Sequence, residues 1–262
     1  MMLYEFCAHT DTGLVRANNE DSVVFDAVTR LAILADGMGG YNAGEVASGM
    51  ATAFIQAELG RWLSEAGPFA NAREVRRAME ICVDNANRSI FDAANASPQY
   101  AGMGTTLVMA VFQDERLLVG HIGDSRCYRF RDGQLTQLTR DHSLLQEQLD
   151  AGLITPEQAA GSLNRNLVTR ALGVEDAVLL DVTEHQVESA DLYLLCSDGL
   201  SDMMADMAIA QVLDGDDSLT QKAAELVLNA NANGGRDNIS VLLAQASDGV
   251  SKRGLISRLL GK

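Results

Sequence analysis

Prolines are scarce, three in 262 residues, aromatic residues make up 5%, and only four cysteines and four histidines occur. Cys7, Cys82, Cys127 and Cys196 stand far apart and form no C-x-x-C pair, which excludes zinc-ribbon and thioredoxin-like chemistry. His9, His121, His142 and His185 are not spaced as metal ligands. No apolar run approaches the ~20 residues of a membrane span, and no basic segment leads into an apolar one near the N-terminus, so no signal peptide is expected. Basic residues are in deficit, 20 Lys and Arg against 36 Asp and Glu, for a formal net charge of −16. Nucleic acid is therefore an unsuitable partner, because a phosphate backbone demands a basic face. These absences describe a soluble protein with reduced thiols, expected in the cytoplasm, whose length suits one large domain.

What is present is organised around Leu31-Ala32-Ile33-Leu34-Ala35, an apolar run that ends in Asp36-Gly37-Met38-Gly39-Gly40. Five apolar residues read as a buried strand, and the acid and glycines end it abruptly. A carboxylate at the mouth of a buried strand is costly unless something neutralises it. The arrangement recurs at Asp191–Gly199, where an apolar strand ends in Asp198-Gly199, and Asp237 opens the strand beginning at Ile239. The three acids converge if their strands are neighbours in a sheet. Convergent carboxylates repel, and an oxygen-only donor set suits Mg²⁺ or Mn²⁺, so a binuclear metal site is expected. Asp132-Gly133, by contrast, lies between two short strands with no second acid or glycine cluster, and reads as a type I′ hairpin turn.

Strands are expected at 3–10 and 22–25, joined by a hairpin to the strand ending at Asp36. Helical spacing follows, with Val46, Met50, Phe54 and Ala57 on one stripe, broken at Gly67-Pro68. A second helix after Asn71 places Val75, Met79, Cys82, Ala86, Ile90 and Ala93 on one face. Strands return at 105–113, 116–123, 127–130 and 134–138, then at 179–187 and 191–198. Two helices at about 200–213 and 217–231 precede a last strand at 239–246. Residues 142–172 differ in character, with a helix start at Thr155-Pro156 and a polar Asn164-Arg165-Asn166, and read as a flap. This order, with hairpin-linked early strands, points to an α+β fold rather than alternating βαβ units. The expected unit is residues 1–248, followed by a short basic amphipathic tail, 249–262, that reads as a frayed terminal helix.

Further polar signals fit the same site. Asp124 in Gly123-Asp124-Ser125-Arg126 ends another strand, and Asp202 lies one helical turn after Asp198. Arg16 precedes Glu20 by four residues and reads either as a surface ion pair or as a bidentate phosphate holder. His142 is open to a catalytic role, though capping of the next helix by Asp141 or Ser143 explains its segment more simply.

The ordered set Arg16…Asn19-Glu20-Asp21, Asp36-Gly37-Met38-Gly39-Gly40, Gly104-Thr105-Thr106, Gly123-Asp124-Ser125-Arg126, Thr139-Arg140-Asp141-His142-Ser143, Arg170-Ala171-Leu172-Gly173, Ser197–Asp202 and Gly235-Arg236-Asp237-Asn238 resembles the metal-dependent serine/threonine protein phosphatases of the PPM (type 2C) class, in its compact bacterial branch. The resemblance implies a four-layer α-β-β-α sandwich, two mainly antiparallel sheets flanked by helix pairs, with metals at one end. It implies Asp36, Asp198 and Asp237 as ligands of a first Mn²⁺ or Mg²⁺. A second ion takes Asp36, the Gly37 carbonyl and, through water, Glu20. A weaker third uses Asp124 with Asp198 and Asp202. Arg16 matches the phosphate-binding arginine. Met38 stands where eukaryotic members carry a histidine, so no side-chain general acid is implied there. The implied reaction is hydrolysis of phosphoserine or phosphothreonine in proteins, reversing a serine/threonine kinase, by a monomer. A silent phosphoprotein-binding relative and a two-metal phosphatase of small phosphoesters are the alternatives.

Overall fold

The computed structural model describes residues 1–39, 43–67, 69–155, 158–159 and 167–249. Eleven strands among these form two antiparallel sheets. One sheet orders β1 (Met2–Asp11), β11 (Ile239–Asp248), β10 (Leu192–Cys196), β7 (Arg126–Arg131) and β8 (Gln134–Gln137). The other orders β2 (Asp21–Asp26), β3 (Leu31–Met38), β5 (Leu107–Gln113), β6 (Arg116–Ile122) and β9 (Asp181–Gln186), with the short β4 (Gly104–Thr105) pairing on β3.

The run at Leu31–Ala35 is buried on both faces, and period-2 alternation divides it between two cores. Leu31, Ile33 and Ala35 face α1 (Ala43–Ala66) and α2 (Ala72–Ala96). Ala32 and Leu34 face the other sheet, in a layer with Phe112, Tyr193, Leu195 and Leu242. Phe112 and Tyr193 meet edge to face across this layer, 5.4 Å between centroids. On the far side, α5 (Asp206–Asp214) and α6 (Leu219–Ala232) cover the first sheet through Ile209, Leu213, Ala223 and Leu226. The layers are therefore α-β-β-α, as expected.

The details depart from the sequence expectation in instructive ways. The strand carrying Asp36 does not stop there: Gly37 and Met38 continue it and pair with Thr105 and Gly104. On α1 the row facing the sheet is Ala43, Ala47, Ala51, Ile55 and Leu59. The larger Val46, Met50 and Phe54 are only partly buried, and Ala57 is exposed. Small residues let the helix approach the sheet closely, so bulk was the wrong guide to the buried face. The α2 face is as expected, with Val75, Met79, Cys82, Ala86 and Ile90 buried, and Asn71 and Glu74 form a capping box at its start. The Asp114-Glu115 and Asp132-Gly133 hairpin turns are present, and Asp132 and Gly133 both take positive φ, 51° and 76°, as a type I′ turn requires. The helix expected over 200–213 is instead two, α4 (Asp198–Ser201) and α5. Among the described residues of 142–172, α3 (Leu144–Asp150) is capped by Ser143, whose Oγ accepts from the Gln146 N–H. Pro156, Asn164–Asn166 and the tail at 251–262 lie outside the described residues.

Leu34 is fully buried between the sheets. Leu34→Ala is expected to cost about 2–5 kcal/mol of unfolding free energy in a urea titration; a cost near zero would contradict the two-sided burial of β3.

Candidate metal centre

The acids converge, two of them from neighbouring strands of one sheet and the third from the sheet facing it. Asp198 follows β10 and Asp237 precedes β11, and these strands pair antiparallel, Cys196 opposite Val241. The end of one and the start of the other therefore share one sheet end. Asp36 comes from β3 in the facing sheet, with Asp21 opposite it on β2. The centre thus lies between the sheets at one end of the sandwich, and no single-sheet reading could have placed it.

Glycines allow the close approach. A Cβ on Gly37 would stand 2.1 Å from the Gly44 carbonyl oxygen and 2.5 Å from that of Glu20. One on Gly199 would stand 1.9 Å from the Asn238 carbonyl oxygen. Main chain carrying Asp36, Glu20 and Asp198 is packed to contact, with no room for any side chain. Thr106 Oγ1 accepts from the Asp36 N–H at 3.0 Å and bonds Ser125 Oγ at 2.7 Å, tying Asp36 to the Asp124 loop.

Asp124, Asp198 and Asp202 line one cavity of about 710 Å³, closed on one side by Leu145 and Leu149 of α3. Asp202 is the C-cap of α4, its N–H donating to the Asp198 carbonyl at 2.8 Å, so the two acids are one turn apart as expected. Glu20 reaches the group through its neighbours: its Oε2 would lie 2.8 Å from a Gly44 Cβ, and its carbonyl accepts from the Gly37 N–H at 3.1 Å. Arg16 does not pair with Glu20. Its guanidinium reaches across the chain to Asp237, 2.5 Å from Oδ2, because residues 12–20 form a loop rather than a helix.

Crowding shifts the titration of these groups. Burial, then the neighbouring carboxylates, pushes Asp36 and Asp198 well above the usual carboxylate range. Asp124 rises to about 6, through burial and then Asp141. Burial raises Glu20. Among the described residues the side chains that meet here are mainly carboxylates, and they outnumber the guanidiniums of Arg16 and Arg126 that face them. A hard divalent cation fits this donor set.

Three residues of the centre carried no assigned role in the sequence reading. Asp21 is held by the Ser197 hydroxyl at 2.8 Å, burial raises it to about 6, and its buried Oδ1 has no hydrogen-bond partner among the described residues. Such an orphaned oxygen is costly beside other acids and calls for a cation or an ordered water. Asn238 is the hub of the Arg16 loop. Its side chain donates to the Thr12 and Asn18 carbonyls, both at 2.9 Å, and accepts from the Glu20 N–H at 2.8 Å. Thr106 is the third. Asp21 and Asn238 adjoin recognised acids in sequence, which was the available signal, but their long-range partners were not legible.

Crowded buried carboxylates between the sheets of an α-β-β-α sandwich define a class of divalent-cation-dependent proteins. The chain belongs to the protein phosphatase 2C family, whose model matches residues 8–244. It is 40% identical over 247 residues to the serine/threonine protein phosphatase PstP of Mycobacterium tuberculosis (strain H37Rv), covering 94% of this chain and 46% of that protein. It therefore spans about half the length of that relative. It is 37% identical to the serine/threonine phosphatase stp of Listeria innocua, over 90% of this chain and 93% of that one. The crystal structure of the PstP catalytic domain in complex with two manganese ions superposes with a TM-score of 0.83, at 39% identity, covering 95% of this chain and all of that one.

Protons and cations compete for the same oxygens. The unfolded chain releases carboxyl protons near pH 3.9, whereas burial and crowding in the folded centre hold them to about 6 at Asp21 and Asp124 and raise Asp36 and Asp198 well above the usual carboxylate range. Stability without cations therefore falls as pH climbs through that window, and cations restore it. The difference in melting temperature between Mn²⁺ and EDTA is expected to be small near about pH 5 and to grow through about pH 7. His121 and His142, which burial lowers, titrate in both samples and cancel in that difference. A difference independent of pH would contradict the crowding.

Proposed function

We propose that the protein is a metal-dependent phosphatase that hydrolyses phosphoserine and phosphothreonine in proteins. The observation that carries this reading is the meeting of Asp36 from one sheet with Asp198 and Asp237 from the other, with the Arg16 guanidinium at their edge. In this reading Asp36, Asp198 and Asp237 hold one Mn²⁺ or Mg²⁺. Asp36, the Gly37 carbonyl and Glu20 serve a second, and Asp124, Asp198 and Asp202 a weaker third. Divalent cations there activate water and offset the charge of the phosphoryl oxygens.

The chain's own residues bind and orient. Arg16 is more than half exposed, so it can exchange its Asp237 contact for a phosphate, which a planar guanidinium grips bidentately. Asn238 holds the loop from which Arg16 extends. Met38 supplies no titratable group; it lines a second cleft with Val168 and Val174. Residues 1–248 act as one catalytic unit, in which Leu145 and Leu149 of α3 line the cavity. The protein works as a monomer in the cytoplasm on substrates of a serine/threonine kinase. Among the described residues no helix is long and apolar enough to cross a membrane.

Phosphate release from a phosphothreonine peptide tests the reading. Turnover is expected with Mn²⁺ and not with EDTA, and Asp198→Asn is expected to lose more than the about 10–100-fold that outer-shell changes cost. Arg16→Ala is expected to lower kcat/KM about 10–100-fold, the worth of a charge-assisted hydrogen bond. Folded, Mn²⁺-loaded protein inert on phosphopeptides would overturn it.

A further inference from the structure

Away from the carboxylates, two histidines pack together at the root of the flap. The rings of His121, on β6, and His142 stack with centroids 4.7 Å apart. Asp181, on β9, faces them, and the three offer ligand atoms within 4.8 Å of one another. The place of a cation beside them is already taken. The Arg170 guanidinium lies 3.1 Å from Asp181 Oδ1 and 3.2 Å from His142 Nε2. His121 Nε2 is engaged with the Arg140 carbonyl at 2.8 Å. The cluster is a hydrogen-bonded unit rather than a metal site.

Its purpose is legible from the partners of His142. The Gly123 N–H points at His142 Nδ1, 3.1 Å away, which makes that nitrogen the acceptor and puts the ring proton on Nε2. Nε2–H then donates to Asp181 Oδ2 at 3.1 Å. The His142 main-chain N–H donates to the Gly123 carbonyl at 2.9 Å. One residue therefore holds both the N–H and the C=O of Gly123. That glycine has φ +99°, and a Cβ on it would stand 2.7 Å from the Thr106 side chain. A left-handed glycine between a strand and a loop has wide conformational freedom, and fixing both its polar groups fixes the direction in which the next residue leaves. The next residue is Asp124. Meanwhile the His142 carbonyl accepts from the Thr169 N–H at 2.8 Å, and Ser143 bridges Val168, closing the root of the flap.

We propose that His142, oriented by Asp181, is a positioning residue that clamps Gly123, aims the Asp124 carboxylate into the cavity and registers the flap root against it. The role of Asp124 in this statement rests on the function proposed above; the clamp itself does not.

Two substitutions separate the ring's bonds. His142→Asn keeps an acceptor near the place of Nδ1, and His142→Gln keeps a polar group near the place of Nε2. Hydrogen exchange of the Gly123 amide, followed by NMR, reads the clamp without activity. The Mn²⁺ concentration giving half-maximal phosphopeptide hydrolysis reads its consequence. The Asn variant is expected to keep Gly123 protected and its Mn²⁺ requirement near that of wild type. The Gln variant is expected to lose protection and to need about 10–100-fold more Mn²⁺, with kcat at saturating Mn²⁺ changed less. Gln matching wild type in both readouts, or Asn and Gln failing alike while folded, would overturn the proposal. If both variants unfold, Asp181→Asn decides: faster Gly123 exchange with a raised Mn²⁺ requirement supports the clamp, and wild-type behaviour overturns it. Wild-type protein inert on phosphopeptides would remove the proposed function, while the exchange measurements would still decide the clamp.

Discussion

Mutual repulsion among carboxylates at one end of a β-sandwich is the constraint on which this structure depends. Asp21 and Asp36 lie opposite one another on paired strands, and Asp198 and Asp124 stand within their field. Nothing in the hydrophobic layers requires acids there. Those layers instead supply the rigidity that forces the acids together, because β3 is buried on both faces and cannot shift to relieve them. The glycines complete the effect: with no Cβ at 37, 44 or 199, main chain and carboxylates close to contact. Such a centre is an unfavourable arrangement for a bare protein and a favourable one for a cation-loaded protein, which is the linkage a metal enzyme exploits.

The surrounding hydrogen bonds convert a crowded end into an ordered one. Asn238 gathers the Arg16 loop, Thr106 joins Asp36 to Ser125, and His142 joins Gly123 to Thr169. Each lies one residue or one bond away from an acid, and each sets where that acid points. Arg126 extends the pattern at the cavity wall, where its guanidinium meets Asp141 through three contacts of 2.6–3.0 Å.

Much of this was legible in the sequence, and for identifiable reasons. Period-2 runs, the Asp132-Gly133 hairpin and the capped α2 are local signals, and local physics decided them. The acids at strand ends were found because an acid closing an apolar run is anomalous wherever it occurs. What stayed hidden is non-local. The sequence could not say that Asp36 lies in the sheet facing Asp198 and Asp237, nor that Arg16 would choose Asp237 over Glu20. Nor could it say that His121 and His142 would stack, because residues 21 apart in the chain meet only through the fold. On α1 the guide itself failed, because close helix–sheet packing selected the alanine row over the larger side chains.

The most direct test is anomalous diffraction at the manganese edge from crystals grown with Mn²⁺. Ions between Asp36, Asp198 and Asp237 are predicted, with the Gly37 carbonyl and Glu20 beside one of them. Manganese found at His121, His142 and Asp181, with none among the aspartates, would contradict the account.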